Sequence, residues 1–309
     1  MNPLTGIYRV ASTLRNSLFD RGVLAIRRLE RPVVSVGNLS VGGAGKTPFV
    51  IALGELLKTR GVRFDVLSRG YGRKTRGVLV VEPDGCVADF GDEPLLIARR
   101  LNVPVVVGES RYEAGRVAET KFASQVHILD DGFQHRSLAR DFDIVLATKR
   151  DFEDRLLPLG RLRELPASLA RADAVVLPAE SSANHPALRG KPVWRVKREI
   201  AIPAAPEAPV VFCGIARPEQ FFAQVRAAGI QPAAEIAFRD HHAYDLRDVE
   251  QLLAKLAKQR AGGFVTTEKD AINMGALLTK LTSLAIATLT LTLDNPADMV
   301  DTILGTIRV

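Results

Sequence analysis

The chain has 309 residues, 47% hydrophobic and 25% charged, the balance of an ordinary globular protein with enough length for two domains. No apolar run is long enough to cross a bilayer, which argues against a transmembrane helix, and the balance argues against a disordered chain. A net charge of +7 favours a polyanionic partner, whether nucleotide, nucleic acid or anionic membrane, and Cys86 and Cys213, far apart, read as free thiols in a reducing compartment. Aromatics are only 6% with no basic–aromatic interleaving, so no nucleic-acid partner is expected. The N-terminus lacks the pattern of a secretory signal, and a cytoplasmic, monomeric protein is expected.

Residues 1–31 open the chain with Leu4, Ile7, Ala11, Leu14 and Leu18 at helical spacing. Around them stand Arg9, Arg15, Arg21, Arg27, Arg28 and Arg31, against Asp20 and Glu30. Such a basic amphipathic helix either lies in a membrane interface or docks on its own domain with solvated arginines. A strand follows at 32–36, then a glycine-rich loop and a helix over 48–60. Strands are expected at 64–67, 78–81, 103–107, 126–129, 144–147 and 174–177, with helices at 93–101 and 111–121 among them. This alternation predicts an α/β/α domain of the P-loop NTPase type, built on a mainly parallel sheet with its active site at the carboxyl ends of the strands. Six prolines punctuate 178–209, which reads as an inter-domain connection with a short strand at 193–196. A second, smaller α/β domain follows: strand 210–213, helices 218–228 and 248–259, strand 263–266 and a closing strand 284–293. The expected division is therefore a helical segment 1–31, a core 32–190 and a smaller domain 191–309.

The strongest local signal is Gly42-Gly43-Ala44-Gly45-Lys46-Thr47 between a strand and a helix. Glycines let the backbone curl so that successive N–H groups face phosphate oxygens, and the helix end adds its dipole. Lys46 would reach the β- and γ-phosphates of ATP, and the Thr47 hydroxyl would bind Mg²⁺. The first glycine of the usual pattern is replaced by Ser40, with Gly42 and Gly43 available to supply the curl. The second signal is a buried strand ending in Asp130-Asp131, which suits a magnesium carboxylate. Adjacent side chains on an extended segment point apart, and either aspartate is a candidate for the metal. Gly91-Asp92-Glu93-Pro94 reads locally as a helix start, Ser68-Arg69-Gly70-Tyr71-Gly72 as a turn, and Asp240-His241-His242 as a polar patch. A GTPase is the main alternative, but Thr148-Lys149-Arg150-Asp151 lacks the guanine-reading Asn, and Phe133 stands where a switch glycine belongs. A non-catalytic membrane- or nucleic-acid-binding module would leave the pairing of Lys46-Thr47 with Asp130-Asp131 unexplained.

Taken in order, these segments resemble the tetraacyldisaccharide 4'-kinase family. The resemblance runs through residues 36–43, Ser68-Arg69-Gly70-Tyr71, Gly91-Asp92-Glu93-Pro94 and Asp130-Asp131-Gly132-Phe133-Gln134-His135. It continues through Leu157-Pro158, Gly160-Arg161-Leu162-Arg163-Glu164, Gly214-Ile215-Ala216-Arg217-Pro218, residues 238–242 and Thr266-Thr267-Glu268-Lys269-Asp270. In the family a non-glycine residue also stands where Ser40 does, whereas Arg239 replaces the usual Pro. The resemblance implies transfer of phosphate from ATP, with Mg²⁺, to the 4'-hydroxyl of an acylated disaccharide phosphate lipid at the cytoplasmic face of the inner membrane. It implies Asp92 as base with His241 beside it, and metal or phosphate roles at Thr47, Asp130, Asp131 and Gln134. Ser68, Arg69, Tyr71, Arg111, Arg163 and Glu164 are implied near the substrate. A substrate held in a bilayer favours a membrane role for the N-terminal helix.

Overall fold

The structure, a computed structural model, describes residues 3–43, 45–181 and 184–308. Helix α1 (Pro3–Asp20) precedes strand β1 (Val33–Asn38), which feeds through the glycine-rich loop into α2 (Lys46–Thr59). There follow β2 (Phe64–Ser68), β3 (Leu79–Val80), α3 (Val87–Phe90), α4 (Asp92–Leu101), β4 (Val105–Val107), α5 (Arg111–Lys121), β5 (Val126–Asp130), β6 (Phe142–Leu146), α6 (Lys149–Glu153) and β7 (Ala174–Pro178). The remainder comprises β8 (Val193–Ala201), β9 (Val210–Cys213), α7 (Pro218–Ala227), β10 (Ala234–Ala237), α8 (Leu246–Gln259), β11 (Phe264–Thr267), α9 (Glu268–Met274), β12 (Leu284–Leu293) and α10 (Pro296–Ile307).

Among the described residues the strands form one sheet in the order β10-β9-β11-β12-β8-β7-β6-β1-β5-β2-β4-β3. All pairs are parallel except β12 with β8 and β3 with β4. The central strands β1, β2, β5 and β6 are buried along their whole length, polar Ser35, Asp65, His127 and Asp143 included, as strands covered on both faces are. β1 is flanked by β5 and β6, and Val36 pairs with Asp130. That register brings the carboxyl end of β5 beside the loop leaving β1.

Two expectations need amending. The stretch 178–209 is not only a connection: β8 runs nine residues, pairs parallel with β7, and pairs antiparallel with β12. The sheet is thus continuous across the boundary expected at 190/191. The C-terminal helix α10, not foreseen in the sequence, packs back on α2, and its Met299, Val300 and Ile303 share a core with Phe49, Leu53, Trp194 and Val196. Burial of those side chains, at about 1.5–3 kcal/mol each, ties the end of the chain to the first half.

The N-terminal helix is docked, yet presents its apolar side outward. Phe19 is buried, Asn16 Nδ2 donates to Glu164 at 3.0 Å, Arg136 pairs with Asp20 at 2.6 Å, and Tyr8 donates its hydroxyl to the Arg163 carbonyl at 3.1 Å. On the other face Leu4, Ile7, Val10 and Leu14 are 57–67% exposed. Of the two alternatives read from the sequence, docking is what the structure shows, through polar groups and the last turn, with the apolar face left exposed.

Candidate active site

The loop 39–45 carries Gly42, Gly43 and Gly45 at φ of 70°, 66° and 84°, left-handed values that favour glycine and turn the backbone inward. Ala44 lies outside the described residues. Gly45 caps α2, so the helix begins at Lys46 and aims its N-terminus into the cavity. The Asn38 side chain donates to the Ser40 carbonyl at 2.7 Å, and the Val41 amide donates to the Arg161 carbonyl at 2.8 Å. Ser40, where the usual motif has glycine, is buried and bridges to Leu162. The loop is thus braced from outside by the 161–164 segment.

Lys46 Nζ lies 3.2 Å from Asn38 Oδ1 and 3.4 Å from Asp131 Oδ1. Asp131, at φ 53°, also accepts two contacts from Arg163 at 2.9 and 3.0 Å. Burial pushes its carboxyl up, but the Lys46 and Arg163 charges outweigh that and hold it below the ordinary range. Asp130 has a different environment. It is 2% exposed, accepts from Ser68 at 3.1 Å through Oδ2, and leaves Oδ1 without a partner. Burial, with the nearby Glu93 and Asp131 charges, pushes its carboxyl up to about 7. A buried, half-satisfied carboxylate beside the Thr47 end of the loop fits a hard divalent cation, which prefers oxygen donors and would remove that penalty. Gln134 lines the cavity; its amide donates to the Asn38 carbonyl at 2.8 Å and accepts from Arg163 at 3.3 Å, which braces the loop.

Across the cavity, His241 Nδ1 stands 2.8 and 3.1 Å from the two carboxylate oxygens of Asp92, joining residues 149 apart in sequence. Gly91 makes the approach possible: its φ is 87°, and a Cβ there would meet the Tyr71 carbonyl at 2.7 Å. Asp92 heads α4 and also accepts from the Glu93 amide at 2.8 Å and Asn273 Nδ2 at 3.1 Å. Lys269 Nζ completes the cluster, 3.2 Å from His241 Nε2, 3.7 Å from Asp92 and 3.6 Å from Glu93. Burial drives Asp92 up, but the hydrogen bond from His241 and the Lys269 charge leave it below its ordinary value. Burial lowers His241, and Asp92 more than reverses it, so the imidazole is raised. The implied arrangement needs one correction. Asp92 is 2% exposed and does not line the cavity, whereas His241 does and stands in front of it. His241 holds φ 57°, a sparsely populated value for a non-glycine residue. Its neighbour His242 instead bonds Asp248 at the start of α8 and stacks on Phe238.

The glycine-rich loop, Lys46, Thr47, Asp130, Asp131, His241 and Lys269 line one cavity of about 1130 Å³ between the loop and the 191–309 segment. Of the residues implied near the substrate, Ser68, Arg69, Tyr71, Arg111 and Arg163 line it, while Glu164 does not. Glu164 is buried, accepting from Asn16 at 3.0 Å and Arg171 at 2.8 Å, and its role is to hold α1 in place. Tyr71 is exposed and packs on the His241 ring with centroids 5.0 Å apart. Arg111 is buried, its guanidinium anchored on the Gly108 and Glu109 carbonyls, and desolvation together with Arg69 lowers it to about 10. Arg15 of α1 donates to the Gln134 carbonyl at 2.9 Å and lines the same cavity, so the docked helix forms part of its wall. Lys269, Asn273, Arg198 and Arg217 were not singled out from sequence. Only the motif segments around Lys269 and Arg217 carried a signal for them.

Comparison with known proteins places the chain in a family. The family model for tetraacyldisaccharide-1-P 4'-kinase matches residues 1–308. A tetraacyldisaccharide 4'-kinase of Koribacter versatilis is 47% identical, covering 100% of this chain and 99% of the relative. One from Geobacter metallireducens is 38% identical over 94% of this chain and 92% of its own length. A crystal structure of LpxK from Aquifex aeolicus in complex with ATP superposes with a TM-score of 0.82 at 34% identity, covering 99% of this chain and 98% of the other. By sequence over its full length and by fold, this chain belongs to the tetraacyldisaccharide 4'-kinase family.

Proposed function

We propose that the protein transfers the γ-phosphate of ATP to the 4'-hydroxyl of a tetraacyldisaccharide 1-phosphate, and that the convergence of Lys46, Asp130–Asp131 and the Asp92–His241 pair on one cavity is where it does so. That convergence is the single observation that carries the reading. The GTPase alternative finds no support, since the matched relatives are kinases that phosphorylate an alcohol.

The division of labour follows from the geometry. The loop amides and Lys46 hold the triphosphate tail at the α2 N-terminus. Asp130, with Thr47 and Asp131, would hold Mg²⁺, which would neutralise phosphate charge. The attacking hydroxyl gives its proton to the His241–Asp92 pair, with His241 facing the cavity and Asp92 fixing its ring. Arg69, Tyr71 and Arg111 stand where the sugar phosphate would lie. Because phosphoryl transfer depends chiefly on positioning and charge, these fixed groups account for most of the catalysis. The core 32–190 and the segment 191–309 act as the two walls, with β8 and α10 belonging structurally to the first. The test is a phosphotransfer assay with γ-labelled ATP, Mg²⁺ and the lipid disaccharide in mixed micelles. Label should appear on the lipid and not on water. GTP-selective turnover, or hydrolysis without transfer, would overturn the reading.

The exposed apolar face of α1, with Arg9 and Arg15 beside it and Arg15 reaching the cavity, suits a helix resting in the cytoplasmic leaflet where the acyl chains are. No described helix is long and apolar enough to cross a membrane. Replacing Ile7, Val10 and Leu14 together by Glu removes roughly 1.5–3 kcal/mol of burial per residue. Partition onto vesicles of anionic phospholipid should therefore fall by at least about tenfold in sedimentation assays. Unchanged partition would assign the helix a purely intramolecular role.

A further inference from the structure

Three arginines pack against the phosphate-binding loop. Arg161 is internally satisfied: it donates to the Val41 and Gly42 carbonyls at 2.9 and 3.0 Å and holds the loop's shape. Arg217 and Arg198 are different. Arg217, at the end of Gly214-Ile215-Ala216-Arg217-Pro218, packs so closely over Gly43 that a Cβ there would stand 2.7 Å from its Nε. That Nε is buried and has no hydrogen-bond partner. Arg198 projects from β8, and its guanidinium occupies the space a Cβ at Gly45 would need. Among the described residues neither side chain pairs with a carboxylate in the way Lys46 and Arg163 pair with Asp131. Glu180 and Asp151 exert only a distant pull.

Both arginines are held by their surroundings. Arg198 sits opposite Leu291 in the antiparallel β8–β12 pair, the one ladder that joins the two halves of the sheet. The loop bearing Arg217 is anchored by buried Asp270, which accepts from the Gly214 amide at 2.7 Å and the Tyr244 hydroxyl at 2.8 Å. Two desolvated guanidiniums held over a loop that already presents Lys46 and a helix N-terminus make an unfavourable gathering of positive charge. Burial, then the Arg217 charge, pulls Arg198 down, and burial, then the Arg161 charge, pulls Arg217 down. Such an arrangement persists only where a multiply charged anion is meant to fill it, and a planar guanidinium matches phosphate oxygens in pairs.

We propose that Arg198 and Arg217 are catalytic phosphate-clamping residues, gripping the β- and γ-phosphates of ATP from the wall opposite the glycine-rich loop. The assignment rests on the kinase reading above. As the acceptor oxygen bonds to the γ-phosphorus, the bond from that phosphorus to the β,γ-bridging oxygen breaks. The electron pair remains on the departing diphosphate, and the hydroxyl proton goes to the His241–Asp92 pair. Negative charge therefore grows on the oxygens nearest the two guanidiniums, where fixed positive charge assists most.

The experiment uses the full chain and compares Arg198→Ala, Arg217→Ala, Arg198→Lys and Arg217→Lys. It measures affinity for ATP, ADP and AMP by calorimetry and turnover with the lipid acceptor. Each Ala variant should lose roughly 10²-fold in kcat/KM for ATP, the scale of one preorganised charge-stabilising group. Binding of ATP should weaken by about tenfold or more while AMP binding stays within about twofold, because AMP lacks the gripped phosphates. The Lys variants should recover ATP affinity in part but not kcat, since an ammonium cannot make the paired contact. Added guanidinium ion should restore part of the Ala variants' rate. Should an Ala variant fail to fold, the Lys variant decides the question. Wild-type kcat/KM in both Lys and Ala variants, an equal loss of ATP and AMP binding, or tighter ATP binding would overturn the clamp. If wild type itself fails to transfer phosphate, the kinase reading fails instead, so the two failures are distinguishable.

Discussion

Replacing Asp92 by Asn is expected to lower kcat by roughly 10³-fold, within the range for loss of a positioned general base, while KM for ATP changes by no more than about threefold. Asn keeps the shape and can still bond His241, so the fold and the cavity survive, but it removes the charge that makes the pair basic. In the wild type, four donors or cations converge on this carboxylate: His241, the Glu93 amide, Asn273 and Lys269. Their sum is a carboxyl held below its ordinary 3.8 despite burial. Its depressed value means that its ionised form stabilises the fold above the unfolded value and loses that contribution as pH falls through the folded one. His241 is raised above 6.5, so its charged form contributes below that value and is lost as pH rises through the folded one. The charged pair is therefore most favourable between the two, a window covering mildly acidic pH up to near neutrality. His241→Gln removes the largest influence lowering Asp92 and leaves burial unopposed by it. With His241 gone, the acid limb set by the raised imidazole should be lost from the pH–kcat/KM profile, together with most of kcat. An acid limb that stays put in His241→Gln, or full activity in Asp92→Asn, would remove the pair from the proton transfer.

The parts of this site that could be read from sequence share a physical feature: their signal is local. Gly42, Gly43 and Gly45 mark left-handed backbone because few other residues adopt it, and Asp130-Asp131 stand at the end of a short, mostly apolar segment of the kind a doubly buried parallel strand needs. What could not be read depends on partners distant in the chain. Asp92 and His241 look ordinary alone, and only the fold reveals that one stands in front of the other. Gln134 and Glu164 match a motif, yet a motif does not say which contacts a side chain makes. In the structure one braces the loop and the other holds α1. Periodicity finds an apolar face on α1, but a face has no sign: the helix docks through Asn16, Tyr8 and Phe19, and the face stays outside. Arg198 was hidden because a proline-punctuated stretch reads as a linker until β12, some ninety residues later, pairs with it.

Lys46→Ala should be comparably damaging by a different route: kcat/KM for ATP falls by roughly 10³-fold, with most of the loss present already in ATP binding. In the structure Lys46 is not idle. It shares Asp131 with Arg163 and donates to Asn38 Oδ1, so the nucleotide must compete with Asp131 for the ammonium. Once a triphosphate is present that competition favours the ligand, because it carries more charge and its oxygens lie at the α2 N-terminus, where the dipole adds to the attraction. Removing the ammonium leaves Asp131 with Arg163 alone. One of the two charges lowering that carboxyl disappears, burial counts for more, and the carboxyl shifts up. The loop would then present less positive and more ambiguous charge to an incoming phosphate. Stability should change little, since Arg163 still neutralises Asp131, and a thermal melt would separate this from unfolding. Lys46→Arg should not restore turnover: its planar fork is longer and would be drawn to Asp131 as a second bidentate partner, not extended along the loop. Turnover within a few-fold of wild type in Lys46→Ala would mean that the cavity holds its phosphates elsewhere, and the assignment of the glycine-rich loop would fall with it.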